Sequence, residues 1–274
     1  MSKGYMWVCQ NNDKTDYAKL SQTLAKSLKK FNKHNDICVL TDKHTEEDLK
    51  KIKEIDIVRV MHHDDSADHK IKWANEYKVF SHSPFKHTIK LVADMVWTTN
   101  TDWWWYYLWQ QDMVFAVDCY NYKNNVVKAK PYRPFHDRNF MPNIYSDLTY
   151  FRKSSTAINF GNICQAITKN WDTVKKQMLI NCHDEYPSTD VVFALAYRIM
   201  DPTNKHMVDY PWFKYIHNKR FIHGLTNVRS PDKYLMPCKV NDKVILGANA
   251  LTRPWHYVDK NMMEELDARI FLKH

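Results

Sequence analysis

Asp94 carries most of the chemistry that this chain advertises. In TIKLVADMVW, residues 88–97, Thr88 to Val92 form a short apolar run of the kind a buried strand needs, and Asp94 follows before a second apolar patch. A carboxylate at the tip of a central strand can hold a divalent cation against a phosphorylated ligand, because ligands bind outside the carboxyl ends of such strands. The plainer alternative is an aspartate that closes a turn. Three other clusters have suggestive side chains. His62-His63-Asp64-Asp65 offers metal-ligating atoms, but consecutive residues point apart, so a solvated loop is expected. Trp103 to Trp105, Tyr106, Tyr107 and Trp109 resemble a base-stacking platform, yet aromatics at six of seven positions surround a helix axis, and most are expected in the core. Lys123, Lys128, Lys130, Arg133 and Arg138 alternate with Tyr and Phe over 120–140. Cations for phosphates with interleaved aromatics for bases are a nucleic-acid pattern.

The elements that must hold these residues alternate in type. Tyr5 to Gln10 reads as a strand ending at Asn11. Leu20, Leu24, Leu28 and Phe31 recur at helical spacing behind Tyr17, with Asp13 or Thr15 as N-cap. Ile37 to Leu40 is a second strand, closed by Thr41 and Asp42. Thr45 with Asp48 resembles a capping box, and Ile55 to Met61 is a third strand. A helix over about 68–79, carrying Lys72 and Lys78, precedes the strand that leads to Asp94. Such alternation predicts an α/β fold with a mostly parallel central sheet flanked by helices. Residues 120–140 lack periodicity and read as an inserted basic loop or hairpin. Leu148 to Phe151 is a further strand, 154–180 is largely helical, Thr189 caps a helix to about Met200, and a last helix covers 259–271.

Composition narrows the function classes. The 274 residues contain four glycines, where average usage of about 7% would give roughly nineteen. No dinucleotide-binding glycine fingerprint, P-loop or nucleophile elbow can be written here. The six cysteines are scattered without C-x-x-C spacing, which predicts reduced thiols. No apolar run reaches the roughly 18 to 20 residues that span a bilayer, so no membrane partner is expected. MSKGYMWVCQ leads into a strand without a signal-peptide core, and a cytoplasmic location is expected. The formal charge of +9 favours polyanionic partners. With no repeat or linker, one domain over 1–274 is expected, its nucleotide-binding half in 1–118 and its acceptor-binding half in 119–274.

The order of elements, with Tyr17 and AKLSQTLAKSLKKF, the strand ending LTD, and SPFKHTIKLVADM, resembles the GT-A nucleotide-diphospho-sugar transferases. The chain is similar in this to glycosyltransferase family 8 and to the bacteriophage glycosyltransferases of modified DNA. IYSDLTYFRKS (144–154), PSTDVVFALA (187–196) and RPWHYVDK (253–260) extend the likeness along nearly the whole chain. The resemblance implies a UDP-sugar donor and a Mn²⁺ or Mg²⁺ ion held at an Asp-x-Asp motif. Here that triplet is Val92-Ala93-Asp94, so only the second carboxylate is present, and His256 would be the second protein ligand. Asn11 and Asp42 would meet the base and ribose, Tyr17 would stack on the base, and Lys72 and Lys78 would face the donor phosphates. Tyr145, Ser146 and Asp147 would lie by the donor sugar, while Asp190 would act on the acceptor hydroxyl.

Joined to the basic segment, the phage-like resemblance implies a DNA acceptor: double-stranded DNA with 5-hydroxymethylcytosine, contacted by Lys128, Lys130, Arg133 and Arg138 and receiving glucose or arabinose. Two alternatives stand beside it. One is a GT-A enzyme acting on a glycan, lipid or protein; the other is a non-catalytic DNA-binding protein on the same scaffold.

Overall fold

A computed structural model describes residues 2–66, 71–127, 133–203, 207–218, 235, 237–241 and 243–260. Its central sheet has the strand order β3-β2-β1-β4-β9-β6, built from β1 (Lys3–Cys9), β2 (Asp36–Thr41), β3 (Ile57–Val60), β4 (His87–Lys90), β6 (Met113–Ala116) and β9 (Tyr145–Arg152). β1 pairs in parallel with β2 and β4, and β2 with β3, with Trp7 opposite Val39 and Tyr5 opposite Ile89. β1 and β2 are largely apolar runs because both their faces are covered. Alternation sorts their side chains. Tyr5, Trp7 and Cys9 enter one core with Leu20, Leu24 and Leu28 of helix α1 (Tyr17–Phe31). Met6 and Val8 enter the other core. There Phe80 packs on Phe151, Phe160 and Phe193, with ring centroids 4.7, 5.1 and 5.7 Å away. Gly4 is required where β1 meets β2, since a Cβ would lie 2.6 Å from the Asp36 carbonyl oxygen.

The sheet is mostly parallel, as expected, with three of its five pairings parallel and β9 alone reversed. β9 runs antiparallel to both β4 and β6. A parallel return needs a crossover that carries the chain back along the sheet. Between β6 and β9 the described chain has only the hairpin of β7 (Cys119–Tyr120) and β8 (Val126–Val127) and the single-turn helix Pro134–Arg138. The chain therefore re-enters at the end it left. This insertion is the hairpin that sequence suggested, apart from 128–132, which lie outside the described residues.

Local corrections follow from side-chain competition. Asp16, not Asp13 or Thr15, caps α1 by accepting from the Lys19 N–H at 3.0 Å. Ser188, not Thr189, caps the helix Thr189–Met200. Thr45 makes no cap bond, because its hydroxyl accepts from the Asn11 N–H at 2.9 Å. The helix expected over 68–79 is a 3-10 helix, Lys72–Lys78, running into one α turn, Val79–His82; residues 67–70 lie outside the described set. The expected last helix lies beyond the described residues after Lys260. In the aromatic run only Trp104 and Trp105 are buried, whereas Trp103, Tyr106, Tyr107 and Trp109 are exposed. Their helix is just Trp104–Leu108, so one face meets the core, and Trp103 and Tyr107 pack on Trp212 outside it. All six cysteines are free thiols. Among the described residues no helix is long and apolar enough to cross a membrane.

A second sheet, β5-β14-β10-β7-β8, matters most for position. β5 (Met95–Val96) follows Asp94 directly and pairs antiparallel with β14 (Trp255–His256), so that His256 lies opposite Met95. β10 (Ile216–His217) flanks β14 on its other side. A small three-stranded sheet, β11 (Cys238–Val240), β12 (Lys243–Leu246) and β13 (Asn249–Ala250), lies between β10 and β14 in the chain.

Candidate functional site

From β1 the chain turns one way to β2 and β3, then returns to β4 on the other side of β1. Strand tips part at such a reversal, and ligands of open α/β sheets sit in the crevice it leaves. Here a cavity of about 210 Å³ opens at that point, lined by Gln10 and Asn12 after β1, Tyr17 of α1, Val92-Ala93-Asp94 after β4, and Ser146 and Asp147 of β9. Lys72, Trp73, Glu76, Thr189, His256 and Lys260 complete its wall. Seven residues named from sequence therefore meet in one place: Tyr17, Lys72, Ala93, Asp94, Ser146, Asp147 and His256.

Its electrostatics centre on Asp94 and Asp147. The Lys260 ammonium lies 3.0 Å and His256 Nε2 3.3 Å from the same Asp94 oxygen. His256 Nδ1 lies 2.9 Å from Asp147 Oδ2, which also accepts the Tyr215 hydroxyl at 2.6 Å. Burial alone would raise the Asp94 carboxyl, but the His256 and Lys260 charges outweigh it and hold the group far below the usual range. Asp147 is likewise held down, chiefly by His256 against its own burial. For His256 burial works downward; the two carboxylates overcome it and lift the imidazole to about 10. The ring also stacks on His217 at 4.4 Å. Lys260 donates to the Tyr17 hydroxyl at 2.7 Å and lies 4.6 Å from that ring's centre. Lys72 stands 3.8 Å from both Asp42 and Asp64.

Other expected residues do different work. Asp42 sits one layer back, accepting from Gln10 at 2.9 Å and from the Thr45 N–H at 2.8 Å. Asn11 turns toward α1, its side-chain oxygen Oδ1 accepting the Ala18 N–H at 3.0 Å, and Asn12 reaches the cavity instead. Lys78 points away, pairing with Asp65 at 3.1 Å and with the His63 carbonyl. His62 and His63 are exposed as expected, but their neighbours tie the loop down. Asp64 accepts from Gln10 and Asn75, and Asp65 from Tyr77. Tyr145 is fully buried in the core under the Arg133 guanidinium, 4.2 Å from its ring centre.

Asp190 is committed to structure. One oxygen accepts from both the Ser146 N–H and hydroxyl at 2.8 Å, and the other pairs with Arg133 at 2.8 Å. Arg133 is buried, and it also donates to Asn143 and the Ile144 carbonyl. A guanidinium spent on four partners inside the protein is not a surface contact for phosphates. Arg138 is exposed, while Lys128 and Lys130 lie outside the described residues.

Several site residues were missed from sequence. Lys260, four positions after His256, has the spacing to share its site. Lys90 is a lysine inside an apolar strand, which signals a buried partner: it is fully buried, 2.6 Å from Glu76 and donating to the Ser146 carbonyl at 2.9 Å. Burial raises the Glu76 carboxyl in spite of Lys90. Glu76, Trp73 and Thr189 are shared with an adjoining cavity of about 460 Å³, whose walls include Tyr77, Trp171, Tyr186 and Phe193.

The donor set does not fit the divalent ion that the resemblance implied. Both ring nitrogens of His256 already face carboxylate oxygens, Nε2 that of Asp94 and Nδ1 that of Asp147. The Asp94 oxygen that such an ion would take is already shared by that ring and Lys260. Among the described residues no group of three or more His, Cys, Asp or Glu side chains is arranged to hold a metal. In comparisons with known proteins, no family model matches the chain and no curated protein is significantly similar to it.

Proposed function

We propose that the protein is a glycosyltransferase that moves a sugar, of the glucose or arabinose class, from a UDP-sugar to a hydroxyl acceptor. The observation that carries this reading is the meeting of Tyr17, Lys72, Asp94, Asp147, His256 and Lys260 in the crevice where the sheet reverses its strand order. Cations at a strand-tip crevice suit a diphosphate, whose charge grows as it leaves. In the transfer the acceptor oxygen bonds to the anomeric carbon, and the carbon–phosphate oxygen bond breaks with its electron pair passing to the diphosphate. Lys260, His256 and Lys72 stabilise that charge. The acceptor's proton needs a base. Asp190 has both oxygens engaged, whereas Glu76, paired with Lys90 through one oxygen, borders both cavities, and burial raises its affinity for protons.

The larger cavity would take the acceptor: a neutral ring that bears a hydroxyl and packs on Trp73 or Tyr186. A flipped 5-hydroxymethylcytosine meets that description, and the formal charge of +9 favours DNA as its carrier. A second reading, a glycan, lipid or protein acceptor, draws support from the carboxylates around that cavity. Asp65, Asp172 and Glu185 stand there with Lys169 and disfavour a phosphate backbone. The test incubates the protein with radiolabelled UDP-glucose or UDP-arabinose and either hydroxymethylated duplex, plain duplex or a panel of oligosaccharides. Label on hydroxymethylated duplex alone supports the first acceptor, and label on an oligosaccharide the second. DNA binding without affinity for any UDP-sugar would overturn the enzyme reading in favour of a DNA-binding scaffold.

A further inference from the structure

We propose that this site grips its diphosphate with the protein's own lysines, Lys260 supported by Lys72, and needs no divalent metal to do so. The inference rests on the donor reading above and concerns the chemistry by which that site holds its ligand. Three observations lead to it. First, the position that would supply one carboxylate of a metal motif is Val92, which has no ligating atom. Second, the remaining carboxylate, Asp94, presents to the crevice an oxygen that the Lys260 ammonium and the His256 ring already share, at 3.0 and 3.3 Å. A hard divalent ion sits about 2.0–2.6 Å from its oxygens, and a metal on that atom would stand against the Lys260 ammonium. Third, both ring nitrogens of His256 are already taken up by neighbours, Nε2 standing 3.3 Å from Asp94 and Nδ1 2.9 Å from Asp147.

The same contacts explain how the cations stay ready. Lys260 bridges Asp94 and the Tyr17 hydroxyl, which fixes its ammonium at the cavity wall. Asp147 holds the far side of His256, and Lys72 lines the same cavity. An incoming diphosphate brings oxygens that replace Asp94 as acceptors of Lys260, and charge-assisted bonds of that kind are among the strongest a protein makes. Asp94 then acts as a placeholder that orders Lys260 until the ligand arrives.

The two accounts predict opposite signs for one substitution. Titration calorimetry with UDP as the probe, in excess EDTA and then in excess Mn²⁺, compares the wild type with Asp94→Asn, Lys260→Gln and Lys260→Arg. The expected result is wild-type affinity equal in the two buffers, with Asp94→Asn binding as tightly or more tightly because the competing carboxylate is gone. Lys260→Gln should lose about tenfold or more, the worth of one charge-assisted bond, with Lys260→Arg recovering most of it. Thermal unfolding of each variant shows that the comparison is between folded proteins. If EDTA weakens wild-type binding about tenfold or more, Mn²⁺ restores it and Asp94→Asn abolishes it, a metal is the diphosphate's partner and the proposal fails. UDP binding that needs metal leaves the transferase reading intact, whereas no UDP binding in either buffer removes both.

Discussion

Arg133→Met should lower the stability of the folded chain by about 3–4 kcal/mol, although a basic residue in a basic segment invites a surface role. Arg133 donates to the Ile144 carbonyl at 2.7 Å and to Asn143 Oδ1 at 2.9 Å, contacts His136 Nε2 at 2.8 Å, and pairs with Asp190 at 2.8 Å. Its side chain is 7% exposed and that of Asp190 23%. Removing one member of a buried ion pair costs about 3–5 kcal/mol, because the other charge is left inside without its partner. Asp190 keeps two donations from Ser146 and some water, which places that contribution near or just below the lower end. The orphaned Ile144 carbonyl adds about 1 kcal/mol. For a chain of this size each kcal/mol moves the melting temperature by about 2–4 °C, so a drop of roughly 10 °C is expected in differential scanning calorimetry. Arg133→Lys should fall nearly as far, since one ammonium cannot reach four acceptors in a fork. A surface arginine would change stability by no more than about 0.5 kcal/mol. A melting temperature within about 2 °C of wild type would therefore refute the buried clamp and return Arg133 to the surface.

Two further outcomes follow from buried charges. In ring-proton NMR His256 should titrate near 10, and its charge should favour the folded state fully below about pH 6.5, with that advantage fading as pH climbs through the folded value. Asp94 and Asp147, held below their usual range, act in the opposite sense, favouring the fold above about pH 4 and losing that contribution on acidification. A His256 midpoint near 6.5 would contradict the carboxylate sandwich. Lys90→Met should cost about 3–5 kcal/mol in urea unfolding by stranding Glu76, whereas the Lys90→Met/Glu76→Met double variant should recover most of it. Additive losses would show that the two groups do not form a coupled pair.

The parallel part of the central sheet was legible chiefly because β1 and β2 are apolar runs bounded by turn residues. β1, β2 and the strand approaching Asp94 fall where the pattern puts them. The direction of β9 was not legible. It depends on the chain between β6 and β9 staying at one end of the sheet, which no local pattern records. Asp94 and His256 were named together through resemblance, but the device that joins them is a pairing of two-residue strands, β5 with β14, too short to show periodicity. Charge for Arg133, and resemblance for Asp190 and Lys78, did not reveal their ionic partners, because neither says which ion is already beside a residue. The aromatic run failed for a geometric reason. Helical crowding around an axis implies burial only when the helix is long enough to be surrounded, and Trp104–Leu108 is barely more than one turn.

A crystal structure of the protein grown with UDP tests the central claim most directly. The account predicts diphosphate density in the crevice between the tips of β1 and β4, with phosphate oxygens within hydrogen-bonding distance of Lys260 and close to Lys72. Clear UDP density bound anywhere else on the molecule, with that crevice filled only by solvent, would contradict it.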